Sequence, residues 1–218
     1  MSEDLVVQHA ESADLLVRDG APIEHVAFPI DALFSVAARL RDGAAFEVGT
    51  IGRRGATGTE LSLGIANTPR AVCCEIEGSY AAMSRARFVQ HLRALPSFRV
   101  AVQRAYAAQV FDIEQTVACN VAHGVNERAA RWLLTIALHV GGERFRVRNE
   151  FLAMMLGEPN RRTAFGLEGL AEAGAIAFEG EIVSILDTAT LNSAACECYG
   201  ALHAYWERLG AAHNGAPF

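Results

Sequence analysis

The sequence predicts an α+β protein built from an N-terminal β jelly roll, a long helix and a C-terminal winged helix-turn-helix. Three observations predict this fold. Short apolar runs separated by turn residues fill residues 15–88, an uninterrupted helical pattern covers 97–123, and two short helices followed by a hairpin pattern fill 143–187. We therefore expect a barrel over residues 1–96, a long helix over 97–123 and a helix-turn-helix unit over 124–218.

The composition indicates a globular protein without a membrane-spanning segment. The 218 residues are 51% hydrophobic and 20% charged, enough apolar material to bury a proper core. The acidic N-terminus lacks the features of a secretion signal, so a cytoplasmic location without a membrane partner is expected. The net charge of −6 gives no overall attraction to nucleic acid, and all 19 basic residues are arginine.

The barrel prediction rests on glycine-containing turns at regular intervals. Turn residues such as Arg18-Asp19-Gly20 and Gly78 separate apolar runs every eight to twelve positions, and the runs lie at 25–28, 32–40, 45–51 and 71–76. Short strands at this spacing favour a sandwich or jelly roll. Such a barrel either holds a small ligand between its sheets or serves as a scaffold, and both alternatives stay open at this point.

The long helix carries the spacing of a coiled-coil seam. Its seam positions alternate by three and four residues: Gln103, Tyr106, Val110, Ile113, Val117 and Asn120. A single helix cannot bury such a seam by itself. The helix therefore either lies on the barrel or pairs with a second copy, and the length favours a parallel homodimer with Tyr106, Val110, Ile113, Val117 and Asn120 at the interface.

After a hinge predicted at Gly124, the next helix begins near Val125 and ends at Gly141-Gly142. The helix-turn-helix follows. Its first helix has an apolar face (Phe151, Leu152, Met155 and Leu156), and Gly157 ends it.

The second helix of the pair is predicted over residues 159–173, with Pro159 at its first position and Gly174 at its end. Strands at 175–178 and 181–186 would form the wing around a Glu179-Gly180 turn. A last helix, capped by Asp187 or Thr188, would present one continuous apolar face: Leu191, Ala195, Tyr199, Leu202, Tyr205 and Trp206.

The five cysteines show neither a Cys-x-x-Cys pair nor zinc-finger spacing. They stand as Cys73-Cys74, Cys119 and Cys196-x-Cys198. We expect small buried hydrophobic residues and no metal site, with a redox or metal role as the alternative.

Several stretches resemble the Crp/Fnr family of bacterial transcription regulators. HVAFPIDALFSVAARLRDGAAFEVGTIGRRGATG resembles the family's cyclic-nucleotide-binding-like barrel, TVACNVAHGVNERAARWLL its dimer helix and hinge, and NEFLAMMLGEPNRR with AEAGAIAFEGEIVSILD its DNA-binding domain. The resemblance implies a homodimeric, sequence-specific regulator of double-stranded DNA, with RNA polymerase or another regulator as a further partner. It implies allosteric control and no enzymatic activity.

The same resemblance places a possible effector site at Glu60 and Arg70. Family members that bind cyclic nucleotides use a Gly-Glu-Leu phrase and, ten residues later, an arginine followed by serine or threonine. Here Thr59 replaces the glycine and Ala71 the hydroxyl residue, which removes donors that a buried phosphate needs. We therefore expect no cofactor and no response to cAMP through this pocket, with Glu60 and Arg70 paired to each other at the barrel rim.

The DNA-contacting residues implied by the resemblance lie at the start of the two helices: Arg148, Asn149, Asn160, Arg161, Arg162 and Phe165. Asn160 could face adenine, and Arg161 or Arg162 guanine or phosphate. Residues 141–187 contain five arginines and eight acidic residues, a balance of −3. This acidic balance, together with Phe165 where a polar residue is usual, defines an alternative: a protein-interaction regulator that no longer reads an operator.

Overall fold

The computed structural model describes residues 2–41, 45–156 and 167–211 of the chain. Antiparallel strands form the N-terminal part, as the glycine-containing turns predict. They are β1 Val6–Ala10, β2 Leu15–Val17, β3 His25–Pro29, β4 Leu33–Arg39, β5 Ala45–Ile51, β6 Ala71–Ile76 and β7 Gly78–Ser84.

These strands form two sheets with a common core. One sheet has the order β1-β7-β3 and the other the order β2-β6-β4-β5. Side chains from both sheets meet between them, and the rings of Phe34 and Tyr80 pack edge to face with centroids 5.5 Å apart. The predicted jelly-roll barrel is therefore confirmed.

Two helices follow the barrel, one of which the sequence did not predict. Helix α1 spans Arg85–Ala94 and is capped by Ser84, whose hydroxyl accepts a hydrogen bond from the Arg87 amide. Helix α2 spans Pro96–Ala122, within one residue of the predicted bounds. It packs on the barrel, where buried Val102 joins a core that includes Ile23 and Met83.

The C-terminal part has the helices and hairpin of a winged helix-turn-helix. Helix α3 spans Val125–Val140, strand β8 Arg144–Arg146 and helix α4 Asn149–Leu156. Helix α5 is described over residues 167–172, and strands β9 Ile176–Glu179 and β10 Ile182–Ile185 follow. Gly180 has a φ of 62° in the predicted turn. The sheet order is β8-β10-β9; the three residues of β8 are too few for a periodic pattern.

The last predicted helix is two helices, and this is a correction. Helix α6 spans Thr188–Ala194 and helix α7 spans Cys198–Ala211. Ala195 is extended (φ −77°, ψ 150°), and the break buries Cys196 and Cys198. The apolar spacing runs across the break, so periodicity alone could not reveal it. The predicted cap is confirmed, because the Asp187 carboxylate accepts hydrogen bonds from the Ala189 and Thr190 amides.

The largest core joins the two parts of the protein. It contains Trp132 and Phe151 of the C-terminal part, whose rings lie 5.0 Å apart, together with Leu33 and Ile76 from one end of the barrel sheet. Leu33 and Ile76 are paired neighbours on β4 and β6. Among the described helices, none has the length and apolar character that would span a membrane.

Candidate functional site

The barrel brings Glu60 and Arg70 into direct contact. Glu60 lies in a short 3-10 helix, Thr59–Leu63, between Gly58 and Gly64, both in the left-handed region (φ 66° and 80°) that glycine adopts readily. Its carboxylate accepts a hydrogen bond from Arg70 Nη2 at 2.5 Å, and only 8% of Glu60 is exposed. The two charges therefore satisfy each other within the chain.

The cavity beside this pair is small. It has a volume of about 30 Å³ and is lined by the pair, by barrel residues such as Val72, and by Gln109 and Ile113 of α2. That is room for about one or two water molecules, whereas pockets for ligands of nucleotide size enclose hundreds of cubic ångströms. In this conformation the barrel interior is filled by its own side chains.

The long helix closes the cavity through a polar contact. Gln109 Nε2 donates to the Ala56 carbonyl at 2.9 Å, and the Thr59 hydroxyl donates to Gln109 Oε1 at 3.1 Å. Thr59 is the residue that replaces the glycine expected from the resemblance. Its hydroxyl thus links the 3-10 helix to α2, so a change in the cavity would reach the long helix directly.

An ion pair between a buried glutamate and a half-buried arginine connects the barrel to the helix-turn-helix unit. Arg148 Nη2, immediately before α4, donates to Glu75 Oε2 at 2.7 Å, and the Ser35 hydroxyl donates to the other carboxylate oxygen at 3.3 Å. Glu75 is 5% exposed. Burial raises the pKa of its carboxyl, and the contacts with Arg148 and Ser35 oppose that rise. In this conformation Arg148, expected at the DNA, is engaged with the barrel.

A second group of charged side chains lies close to Glu75. Asp112 of α2 and Arg131 of α3 line a crevice with Glu47 of β5. Burial raises the pKa of Asp112 to about 6, opposed by Arg131 and by a backbone hydrogen bond from Thr50. The pKa of Glu47 is also raised, chiefly by burial and then by Asp112. The junction of barrel, long helix and α3 is therefore an electrostatically costly place for two carboxylates.

His139 completes the junction at the end of α3. The residue is 6% exposed, and a side chain at Gly52 would overlap with it. The Arg53 amide donates to the His139 carbonyl at 3.3 Å. Burial lowers the pKa of the imidazole to about 4, so the ring is neutral at physiological pH.

The predicted base-reading residues lie largely outside the described part of the chain. Asn160, Arg161, Arg162 and Phe165 fall within residues 157–166, and Asn149 is the first residue of α4. The wing arginines face acidic neighbours: Arg146 donates to Glu181 through Nε at 3.0 Å and Nη2 at 2.8 Å. The arginine side chains at these wing positions are thus partly neutralised by the chain itself.

The outer face of α2 carries an exposed apolar stripe. Val117 and Val121 are 62% and 87% exposed, and Val100 is 40% exposed. Of the predicted seam, Ile113 lines the barrel cavity and lies close to Gly49, and Asn120 accepts a hydrogen bond from Arg128 Nη1 at 3.3 Å. The stripe follows positions 100, 103, 107, 110, 114, 117 and 121, of which 107 and 110 are half-buried and the other five exposed.

Sequence reasoning missed one group of chemically active side chains. The side chains that converge are those of Cys119, His123, Cys196 and Cys198. The sulfur atoms of Cys119 and Cys196 are in contact although 77 residues separate the two cysteines in the sequence. Burial raises the pKa of the Cys119 thiol to about 12. A Cys-x₃-His spacing on one helix and a distant Cys-x-Cys are individually weak patterns, and only the fold brings them together.

The chain matches known proteins at the level of structure. No family model and no curated protein matches the chain. Solved structures do match. FixK2 from Bradyrhizobium japonicum superposes with a TM-score of 0.75 at 14% identity, over 88% of this chain and 98% of FixK2.

Two further structures agree. A transcriptional regulator of the CRP family from Thermus thermophilus gives a TM-score of 0.66 at 21% identity, over 86% of this chain and 96% of its own. CLP of Xanthomonas campestris, described as a c-di-GMP responsive global regulator, gives 0.64 at 17% identity, over 84% of this chain and 94% of its own. The chain has the fold of the Crp/Fnr transcription regulators.

Proposed function

We propose that this protein is a homodimeric, sequence-specific DNA-binding transcription regulator of the Crp/Fnr type. The observation that carries the proposal is the order of the parts: a barrel, a long helix and a winged helix-turn-helix that superpose together on solved regulators over 84–88% of the chain. The proposal includes the division of the chain into a barrel over residues 1–96, a long helix over 97–123 and a helix-turn-helix unit over 124–218. The second helix of each copy would enter the major groove, with the two copies about one helical turn apart.

The barrel of this regulator does not take a cyclic nucleotide in the way the family resemblance suggests. The Glu60 carboxylate and the Arg70 guanidinium, which would hold the ribose and the phosphate, are joined to each other at 2.5 Å. The neighbouring space of about 30 Å³ does not accommodate a nucleotide. A nucleotide would have to break this pair and displace Gln109 before it could bind.

DNA binding depends mainly on two arginines. Residues 141–187 carry five arginines and eight acidic residues, a balance of −3. Arg144, Arg146 and Arg148 each face an acidic side chain of the same chain, at 4.0, 2.8 and 2.7 Å. Because affinity for DNA rests on neutralised phosphates, Arg161 and Arg162 are the arginines on which operator binding would depend.

A binding assay with the protein's own promoter region tests the proposal. The purified dimer is expected to form a specific complex whose affinity falls steeply as salt is raised. Replacing Arg161 and Arg162 with alanine should weaken that complex by at least about 30-fold, and added cAMP should leave it unchanged.

The matched control removes the same charge elsewhere. Arg18 and Arg93 are exposed residues outside the helix-turn-helix, and their double alanine variant should bind DNA like the wild type. Equal loss of binding in both double variants would mean that net charge alone explains the effect. If the wild type forms no salt-sensitive complex, the proposal is rejected.

The acidic balance of the C-terminal part favours a second candidate, a protein-interaction regulator without operator reading. In that case promoter DNA gives no specific complex, and a second regulator or RNA polymerase binds instead. Exchange of Phe165 for serine would then abolish binding to that purified partner, whereas an operator-reading protein would change its DNA preference with the same substitution.

A further inference from the structure

Four potential metal ligands meet where the end of α2 packs against the linker between α6 and α7. Cys119 and His123 come from the last turn and the C-terminal cap of α2, and Cys196 and Cys198 from the linker and the first residue of α7. Their sulfur and nitrogen ligand atoms all lie within 4.8 Å of one another. The helical spacing of four residues puts Cys119 and His123 on one face of α2.

The distances match the edges of a tetrahedron around a single ion. Thiolates bound to zinc at about 2.3 Å stand about 3.8 Å apart in tetrahedral geometry. Here the sulfur atoms of Cys119 and Cys196 are 3.5 Å apart, and Cys198 Sγ is 3.7 Å from His123 Nδ1. An iron–sulfur cluster needs cysteines spread around a larger inorganic core. The donors therefore suit one ion.

The surroundings of the donors are those of an ordered ligand set. His123 turns Nδ1 toward the sulfur atoms and places Nε2 3.1 Å from Glu197 Oε2. A carboxylate on the second imidazole nitrogen fixes the ring and its tautomer in many zinc sites. On the opposite side, Gln115 Nε2 donates to Cys198 Sγ at 3.0 Å.

The burial of the site indicates a structural rather than a catalytic role. The three cysteines are 0%, 5% and 1% exposed and form a cluster separate from the aliphatic cores. Three sulfur donors and one imidazole complete the four positions of a closed zinc site, with none left for water or substrate. Three thiols packed as plain hydrophobic residues would need neither the inward imidazole nitrogen nor its carboxylate partner.

We propose that Cys119, His123, Cys196 and Cys198 bind one Zn²⁺ ion, which ties the end of the long helix to the start of α7. The ion sits one residue before Gly124, where the chain passes from α2 into the C-terminal part. It therefore fixes the junction through which any movement of the long helix reaches the helix-turn-helix unit. The proposal is independent of DNA binding and is tested without DNA.

Metal content of untagged, chelator-free protein is the first measurement. The wild type should contain about one zinc ion per chain, and Cys198→Ser should contain less than about 0.2. Cys73→Ser is the matched control, because Cys73 lies in the barrel sheet, and it should retain the full content. Equal zinc in all three proteins would overturn the proposal.

The second measurement uses the wild-type chain and so does not depend on folding of a variant. Cobalt added to metal-free protein should produce the intense visible bands of tetrahedral cobalt–thiolate coordination, one equivalent at saturation. A strong chelator should lower Tm by about 5 °C or more. The site would be rejected if the protein is isolated without zinc and gives no such bands with cobalt, whether mass spectrometry then finds free thiols or a Cys119–Cys196 disulfide.

Discussion

Asp112 illustrates how one side chain at the domain junction responds to pH. Its pKa rises from 3.8 to about 6 in the folded protein because burial disfavours the charged form more than Arg131 favours it. The folded chain therefore holds the proton more tightly than the unfolded chain. The stability that Asp112 contributes is complete below about pH 4 and is lost as the pH rises to about 6.

Asp112→Asn should consequently stabilise the protein in a pH-dependent way. The asparagine has no charge to bury, so the variant and the wild type should be equally stable near pH 4. At pH 7 the variant should be more stable by roughly 2–3 kcal/mol, measured by urea unfolding across the pH range. Asp19→Asn changes an exposed side chain, is the control, and should alter stability by less than about 0.5 kcal/mol. A difference for Asp112→Asn that is the same at pH 4 and pH 7 would contradict the assignment.

At the level of elements, the exposed stripe on α2 has the spacing that a parallel helix pair requires. It shares residues 103, 110 and 117 with the predicted seam and also includes residues 114 and 121, next to the predicted Ile113 and Asn120. Ile113 lines the barrel cavity, whereas Asn120 is exposed. Both stripes alternate by three and four, and only packing on the barrel distinguishes them. We therefore propose that the dimer seam includes Val110 and Val117, which both stripes share.

Glutamates on this stripe should separate the proposed dimer. Val117→Glu with Val121→Glu would replace two apolar side chains with like charges on the face through which the two helices are proposed to pair. Light scattering should report a dimer for the wild type and a monomer for this variant. Val7 is equally exposed, at 67%, and Val7→Glu should remain dimeric. A monomeric wild type, or a dimeric double variant, would refute the seam.

The elements that could be predicted are those whose sequence pattern depends only on neighbouring residues. Glycine turns and apolar periodicity gave the barrel strands, α2, α3 and the wing, because those patterns are local. The break between α6 and α7 stayed hidden because the apolar spacing continues across it, and β8 because three residues carry no period. The pairing of Glu60 with Arg70 was expected, whereas the bond from Glu75 to Arg148 joins positions without any shared motif.

On the scale of the whole molecule, we expect the barrel and the C-terminal part to unfold as one unit. Their shared core includes Leu33 and Ile76, and the ion pair between buried Glu75 and half-buried Arg148 joins the same two parts. Breaking a buried pair by removing one partner leaves an uncompensated charge. Loss of this contact should therefore affect the entire chain rather than the helix-turn-helix alone.

Arg148→Ala should lower the free energy of unfolding by roughly 3 kcal/mol, and Glu75→Gln in the same chain should recover part of the loss. Arg146→Ala is the control. Its ion pair with Glu181 is of similar length but exposed, and its loss should cost less than about 1 kcal/mol. Tryptophan fluorescence and circular dichroism should give coincident transitions in the wild type. Equal costs for the two arginines, or two separate wild-type transitions, would contradict this view.

The position of Leu33 and Ile76 sets a threshold for any signal that swings the C-terminal part away from the barrel. Such a movement would expose both side chains to water at about 1.5–3 kcal/mol each. The combined cost of about 3 kcal/mol or more means that an effector must prefer the open form by more than about 160-fold before that form is the more populated one. Weak or unselective binders would leave the regulator in its closed arrangement.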